Sequence, residues 1–393
     1  MPRPLDGITV VSLEHAIAAP FCTRHLADLG ARVIKVERPG TGDFARDYDQ
    51  RAKGLASHFV WVNRSKESLT LDLKQPQALA ALKDLIAKAD VLVQNLAPGA
   101  AARMGLGYQE LSAIHSRLIV CDISGYGNDG PYRDKKAYDL LIQSEAGFLS
   151  ITGTREEPSK AGNSIADIAA GMYAYSGILA ALLQRQRTGR GSHIDVSMLE
   201  ALGEWMGFPM YYAYEGQEPP ARSGASHATI YPYGPFEAGD GKTVMLGLQN
   251  EREWKVFCEK VLLQPQIATD PRFDLNPRRS ENRVELKRII LEAFAKLTGE
   301  QVIARLEEAQ IANARVNEVG DLWNHPQLRA RQRFRTIVSP AGELAALLPP
   351  GANDTFEYRM DGIPAVGQHS EAILRELGRT DADISALRTA GAT

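Results

Sequence analysis

The sequence has only three cysteines in 393 residues, no internal repeat and no excess of one charge. It also has no run approaching about 18 uninterrupted apolar residues. Each absence excludes a class of protein. Cys22, Cys121 and Cys258 are odd in number and far apart, so neither a disulfide framework nor a metal-ligand spacing is present. Free thiols in a reducing compartment are expected, with no metal. The start, MPRPLDG, is no apolar leader, and the chain reads as cytoplasmic, without a membrane partner. Lys and Arg number 45 against 48 Asp and Glu, both signs interspersed, which leaves no field to attract nucleic acid. Any anionic ligand has to be held by local clusters. The loop after the first predicted strand, Glu14 to Pro20, lacks a glycine fingerprint, so a nicotinamide-type dinucleotide site is not expected.

With 44% hydrophobic and 24% charged residues, the chain has the composition of a globular enzyme, and its length suits two domains. β-branched runs at 8–13 and 32–37 flank a helical stretch at 21–29 that Gly30 ends, which is a βαβ opening. A helix at 77–88, a strand at 91–94, a helix at 108–114 and a strand at 118–123 continue the alternation. The fold class that follows is α/β, with a Rossmann-like, doubly wound parallel sheet in a large domain. Pro219 and Pro220 interrupt the chain. Beyond them, a hairpin at 236–248 and helices at 253–261, 283–297 and 299–309 describe a smaller mixed α/β domain. The expected boundaries are 1–220, 221–335, and a segment 336–393 that returns to the large domain.

Ligands of such sheets bind beyond the carboxyl ends of the strands. The loops there carry Arg38, Lys74, Asn95, Arg103, Lys136 and Tyr138. Each cation alone reads as a solvated surface charge; together they could surround a phosphorylated ligand. The stretch 161–191 is the other feature: some twenty Ala, Gly, Ser and Leu-rich positions without proline, closed by Arg185, Arg187 and Gly189, as a buried helix ends. One acidic residue, Asp167, sits at or just before its start. Two readings stand: an N-cap that accepts orphan amides, or a carboxylate nucleophile in an apolar, small-residue setting.

Several stretches resemble the class III CoA-transferases, the formyl-CoA and carnitine CoA-transferase group. They are LEHAIAAPFCTRHLADLGARVIKVERPGTGDFAR, NLAPGAAARMGLGY, SGYGNDGPYRDKKAYDLLIQSEAG and IADIAAGMYAYSGILAALLQRQRTGRGSHIDVSMLEAL. The likeness runs to GQHSEAILRELG, nearly the whole chain. It implies an interlocked, ring-like homodimer and an aspartate nucleophile at Asp167. It further implies coenzyme A contacts at His15, Ala16, Ile17, Ala18, Arg38, Leu71, Lys74, Asn95, Leu96, Arg103, Lys136 and Tyr138. Coenzyme A thioesters enter as substrates, and no permanently bound cofactor is implied.

Two departures from the family pattern narrow the expectation. The polyglycine loop of formyl-CoA transferases is replaced by RSGASHATIYPYG, and the GHD of the related 2-methylacyl-CoA racemases by Ala137-Tyr138-Asp139. Racemization therefore ranks below transfer, with a non-catalytic CoA-binding protein as a third reading. The likeness is nearest to the branch that uses succinyl-CoA and dicarboxylates, which implies a C4 to C5 acceptor, itaconate first, with mesaconate and citramalate or malate as alternatives. Arg222, His227, Tyr231 and the nearby Tyr233 are candidates for a distal carboxylate; Arg222 as a hinge charge and His227 as a turn residue are the structural alternatives.

Overall fold

A computed structural model describes residues 2–393. The larger unit comprises 1–146, 161–207 and 330–393; the smaller comprises 147–160 and 208–329. The chain thus leaves the larger unit at Gly207, ahead of the expected break at Pro219, and returns at Ala330. Residues 147–160, expected in the large domain, group with the smaller unit.

The larger unit is built on six parallel strands: β1 (Thr9–Leu13), β2 (Arg32–Glu37), β3 (Lys66–Thr70), β4 (Val91–Gln94), β5 (Ile119–Ser124) and β6 (His193–Ser197). Their order is β3-β2-β1-β4-β5-β6. Strand order reverses between β1 and β4, so the crevice of this sheet opens where the loops after those two strands part. Val11, Leu13, Ile34, Val36, Leu92 and Val120 project to one face and pack on helix Pro76–Ile86 and on helices Ser370–Glu376 and Asp381–Thr389. The first helix, Ala18–Asp28, and the long helix, Ile165–Thr188, take the opposite face. These two helices touch closely, because Gly171 leaves no room for a side chain: a Cβ there would stand 2.7 Å from the Ala18 carbonyl oxygen. The long helix is apolar and long enough to cross a membrane, by length and composition alone. Here its buried stripe, Ala166, Ala169, Ala170, Ala174, Ile178 and Ala181, is spent on its own unit.

β3 was not expected from sequence. KESLT alternates a buried Lys66 with Ser68 and Thr70, so its inward face is polar, and no apolar period announces it. The returning segment adds a hairpin, β10 (Phe334–Ser339) and β11 (Gly342–Leu347), in a stretch where sequence showed only Pro and Gly. Its Ile337 and Ala346 join Ala56, Phe59 and Ile363 in a small core.

The smaller unit holds three antiparallel strands, β7 (Tyr233–Glu237), β8 (Thr243–Gly247) and β9 (Ala312–Arg315). β7 and β8 form the hairpin read from sequence, with Gly241 at φ +77° in its turn. Trp254, Phe257, Phe273 and Phe294 fill the core beneath them.

Candidate active site

The loop after β1 is held in place from three sides. Asn95, one residue beyond β4, accepts from the His15 amide with Oδ1 and donates to the His15 carbonyl with Nδ2, both at 2.9 Å. Asp43 Oδ1 accepts from the Ala16 amide at 3.3 Å, and Ala16 adopts φ +59°. Beneath the loop lies a buried ionic cluster. Lys35 Nζ is 2.8 Å from Asp43 and 3.3 Å from Glu14, and Lys66 Nζ is 2.6 Å from Glu14. Thr23 Oγ1 donates to the other Glu14 oxygen at 2.6 Å. Burial pushes the Glu14 carboxyl up, but the two ammonium groups outweigh it and hold it at about 2. Buried charges persist only when so compensated. Their yield here is a fixed backbone from Glu14 to Ile17. The His15 ring stacks on Phe44 at 5.4 Å, its buried Nδ1 has no partner among the described residues, and burial keeps it below its ordinary pKa.

Ile17 precedes the first helix, and no side chain caps that end. The helix accordingly presents its first amides, where negative charge is favoured. Arg38 and Lys74 follow β2 and β3, Leu96 and Arg103 follow β4, and Lys136 and Tyr138 follow β5; all except Leu96 are exposed. The residues that sequence assigned to coenzyme A therefore occupy the loops at the carboxyl edge of one sheet. Two differ in what their side chains do. Leu71 is buried in the core, leaving only backbone to offer, and Asn95 spends its amide on the His15 loop.

Asp167 is the third residue of the long helix, inside its first turn, and is not the N-cap. Ser164 occupies the cap position without a side-chain bond. The capping acceptor comes from elsewhere: Asp139 Oδ1 accepts the amides of Ala166 at 2.7 Å and Asp167 at 3.2 Å. Gln143 donates to the other Asp139 oxygen at 2.6 Å and accepts from the Ala161 amide at 2.9 Å, which ties the segment before the helix to the same carboxylate. The Asp167 carboxylate, half-buried, receives no hydrogen bond from any described residue. Burial, with the Asp139 charge added, lifts it from 3.8 to about 7. The phenol of Tyr48 lies within electrostatic reach of Asp167, Asp43 and Tyr138, and with its burial they raise its pKa.

Sequence reasoning passed over Asp139, Tyr48 and the Glu14–Lys35–Asp43–Lys66 cluster. A lysine in the middle of the apolar strand RVIKVE was the one available signal.

In the smaller unit, Arg222 donates Nε to the Thr154 carbonyl and Nη2 to the Arg155 carbonyl, both at 2.8 Å. His227 Nδ1 accepts from the amides of Thr229 and Ile230 at 3.2 and 3.1 Å, and its ring stacks on Tyr233 at 5.3 Å. Both arrangements match the structural alternatives, a latch and a turn. Tyr231 is 4% exposed and its hydroxyl has no partner among the described residues.

A six-stranded parallel sheet with an unpaired carboxylate beside its strand-end loops is a mixed α/β enzyme architecture. The chain belongs to CoA-transferase family III, whose family model matches residues 5–370, and is an enzyme of that class. It is 34% identical over 385 residues to a succinyl-CoA:glutarate CoA-transferase of Mus musculus, covering 96% of this chain and 87% of that one. A succinyl-CoA–D-citramalate CoA-transferase of Chloroflexus aurantiacus is 33% identical, covering 98% and 97%. Among solved structures, a CAIB/BAIF family protein from Brucella suis superposes with a TM-score of 0.85 at 32% identity, covering 96% of this chain and all of that one.

Proposed function

We infer that the enzyme moves coenzyme A from succinyl-CoA to a C4 to C5 dicarboxylate, itaconate first among them, with Asp167 as nucleophile. The observation that carries this reading is the Asp167 carboxylate: unpartnered, half-buried and lifted to about 7, so that its ionised form is unusually basic near neutral pH. An Asp167 oxygen attacks the thioester carbonyl of succinyl-CoA, the C–S bond breaks, and CoA thiolate leaves a mixed anhydride. The thiolate then attacks the Asp167 carbonyl carbon, releasing succinate and forming an aspartyl-CoA thioester. The acceptor carboxylate attacks that thioester, the thiolate leaves again, and its attack on the acceptor side of the second anhydride frees Asp167 and the new acyl-CoA. His15, Arg38, Lys74, Arg103 and Lys136 are the side chains offered to the coenzyme, with the uncapped helix at Ala18 near its anionic parts. Two relatives named for glutarate and D-citramalate support a dicarboxylate acceptor. An interlocked homodimer is part of the same proposal.

The test is mass spectrometry of succinyl-CoA incubated with itaconate, mesaconate, citramalate, malate and glutarate. Itaconyl-CoA as the leading product supports the reading, and a preference for a monocarboxylate such as butyrate sinks it. One observation also favours a second reading, proton transfer at the α-carbon of an acyl-CoA: a carboxyl near 7 is suited to acid–base work. Deuterium entering a 2-methylacyl-CoA from heavy water, without any carboxylate acceptor, would select it.

A further inference from the structure

The smaller unit contains a cavity of about 800 Å³ that neither the nucleophile nor the coenzyme residues explain. Four cationic side chains and two carboxylates line it, so its charge balance is positive. Phe236, Pro235 and Val284 supply an apolar wall. Two hydrogen-bond donors in this lining have nothing to bond. The hydroxyl of Tyr231 is buried and unpartnered. The Arg283 guanidinium, 5.5 Å from the Tyr231 ring centroid, donates Nε to the Ser280 carbonyl at 3.1 Å and Nη2 to the Ala228 carbonyl at 3.0 Å. Its Nη1 has no partner among the described residues. Lys287, exposed at the same cavity, makes no ion pair among them either.

These donors are not loosely placed. The Tyr231 amide donates to Asn276 Oδ1 at 3.0 Å, and its carbonyl accepts from Arg279 Nε at 2.9 Å. Arg279 is held in turn by Glu251 at 2.7 and 3.0 Å. A phenol and a guanidinium fixed by the core, both short of an acceptor, match the two oxygens of a carboxylate. The geometry points to a binding site for a small organic carboxylate in the smaller unit, its carboxylate between Tyr231, Arg283 and Lys287 and its hydrocarbon body against Phe236 and Val284. The site stands without the transferase reading, since binding there needs no thioester chemistry.

The experiment is calorimetric titration of the full-length Asp167→Ala protein, which removes turnover, with glutarate and with its uncharged diamide. Glutarate is expected to bind in the millimolar range and the diamide not at all. Tyr231→Phe, which keeps the ring, and Lys287→Ala, at an exposed position, should each weaken glutarate about tenfold. Lys260→Ala, an exposed lysine of the same unit outside the cavity, should leave it unchanged. Equal affinity in Tyr231→Phe and Lys287→Ala, or equal binding of the diamide, overturns the assignment. Loss of transferase activity in the unmodified protein would leave these outcomes intact, which separates this site from the function proposed above.

Discussion

Asp139 and Asp167 are two carboxylates joined through one amide: Asp139 Oδ1 accepts the backbone N–H of Asp167 at 3.2 Å, having already taken that of Ala166 at 2.7 Å. The same group thus anchors the start of the long helix and places a negative charge beside the side chain it positions.

Asp139→Asn separates those two effects. The amide oxygen of asparagine can still accept from Ala166, while the charge is gone. The Asp167 carboxyl should then titrate lower, and the acid limb of the pH profile of kcat/KM should move down by about one unit. An unmoved limb in the measured profile would assign the whole shift to burial.

Asp167→Asn should abolish transfer and stabilise the protein, and the sign follows from the direction of the shift. The folded carboxyl titrates near 7 against 3.8 ordinarily, so the unfolded chain loses its proton first. Ionisation therefore begins to penalise the fold as pH rises past about 4, and the penalty is complete above 7. The gain in the variant should be about 1–2 kcal/mol larger at pH 8 than at pH 5, in denaturant melts at the two values. A gain independent of pH would contradict the raised carboxyl.

Asn95→Ala removes both bonds that clamp His15. The loop after β1 loses its tie to β4, so the KM for the thioester should rise about tenfold, roughly 1.4 kcal/mol, with a smaller change in kcat. Steady-state kinetics with succinyl-CoA read the split. An unaltered KM would mean that Asp43 and the buried cluster hold the loop unaided.

Gly171→Ala should cost about 1–3 kcal/mol, because its methyl would press on the Ala18 carbonyl and on Phe21. Gly203→Ala is the contrast: a Cβ there meets nothing within 4 Å, and a helical glycine replaced by alanine should add about 0.5–1 kcal/mol. Thermal melts of the two variants should move in opposite directions.

Much of the larger unit was legible because its strands are apolar runs punctuated by glycine, as at β1, β2, β4 and β5. β3 was not, since Lys66, Ser68 and Thr70 face polar partners and carry no period. Asp167 stood out by contrast with its small apolar neighbours. Its partner Asp139 did not, because the bond spans 28 residues and no local spacing encodes it. Likewise Lys66 finds Glu14 across 52 residues. Arg222 read as a possible ligand for carboxylate because its type fits; the carbonyls of Thr154 and Arg155 that occupy it lie 68 and 67 residues earlier.

That latch has a bearing on how such chains can recombine. The smaller unit is written in two pieces, 147–160 and 208–329, with the long helix between them belonging to the larger unit. A graft of 208–329 from a relative would bring Arg222 to carbonyls it did not evolve against, and would leave the Gly224 amide to find the Gly153 oxygen of a foreign segment. Exchange of acceptor preference between members of this family therefore requires two coordinated transplants, and the short one, fourteen residues long, is the easier to overlook.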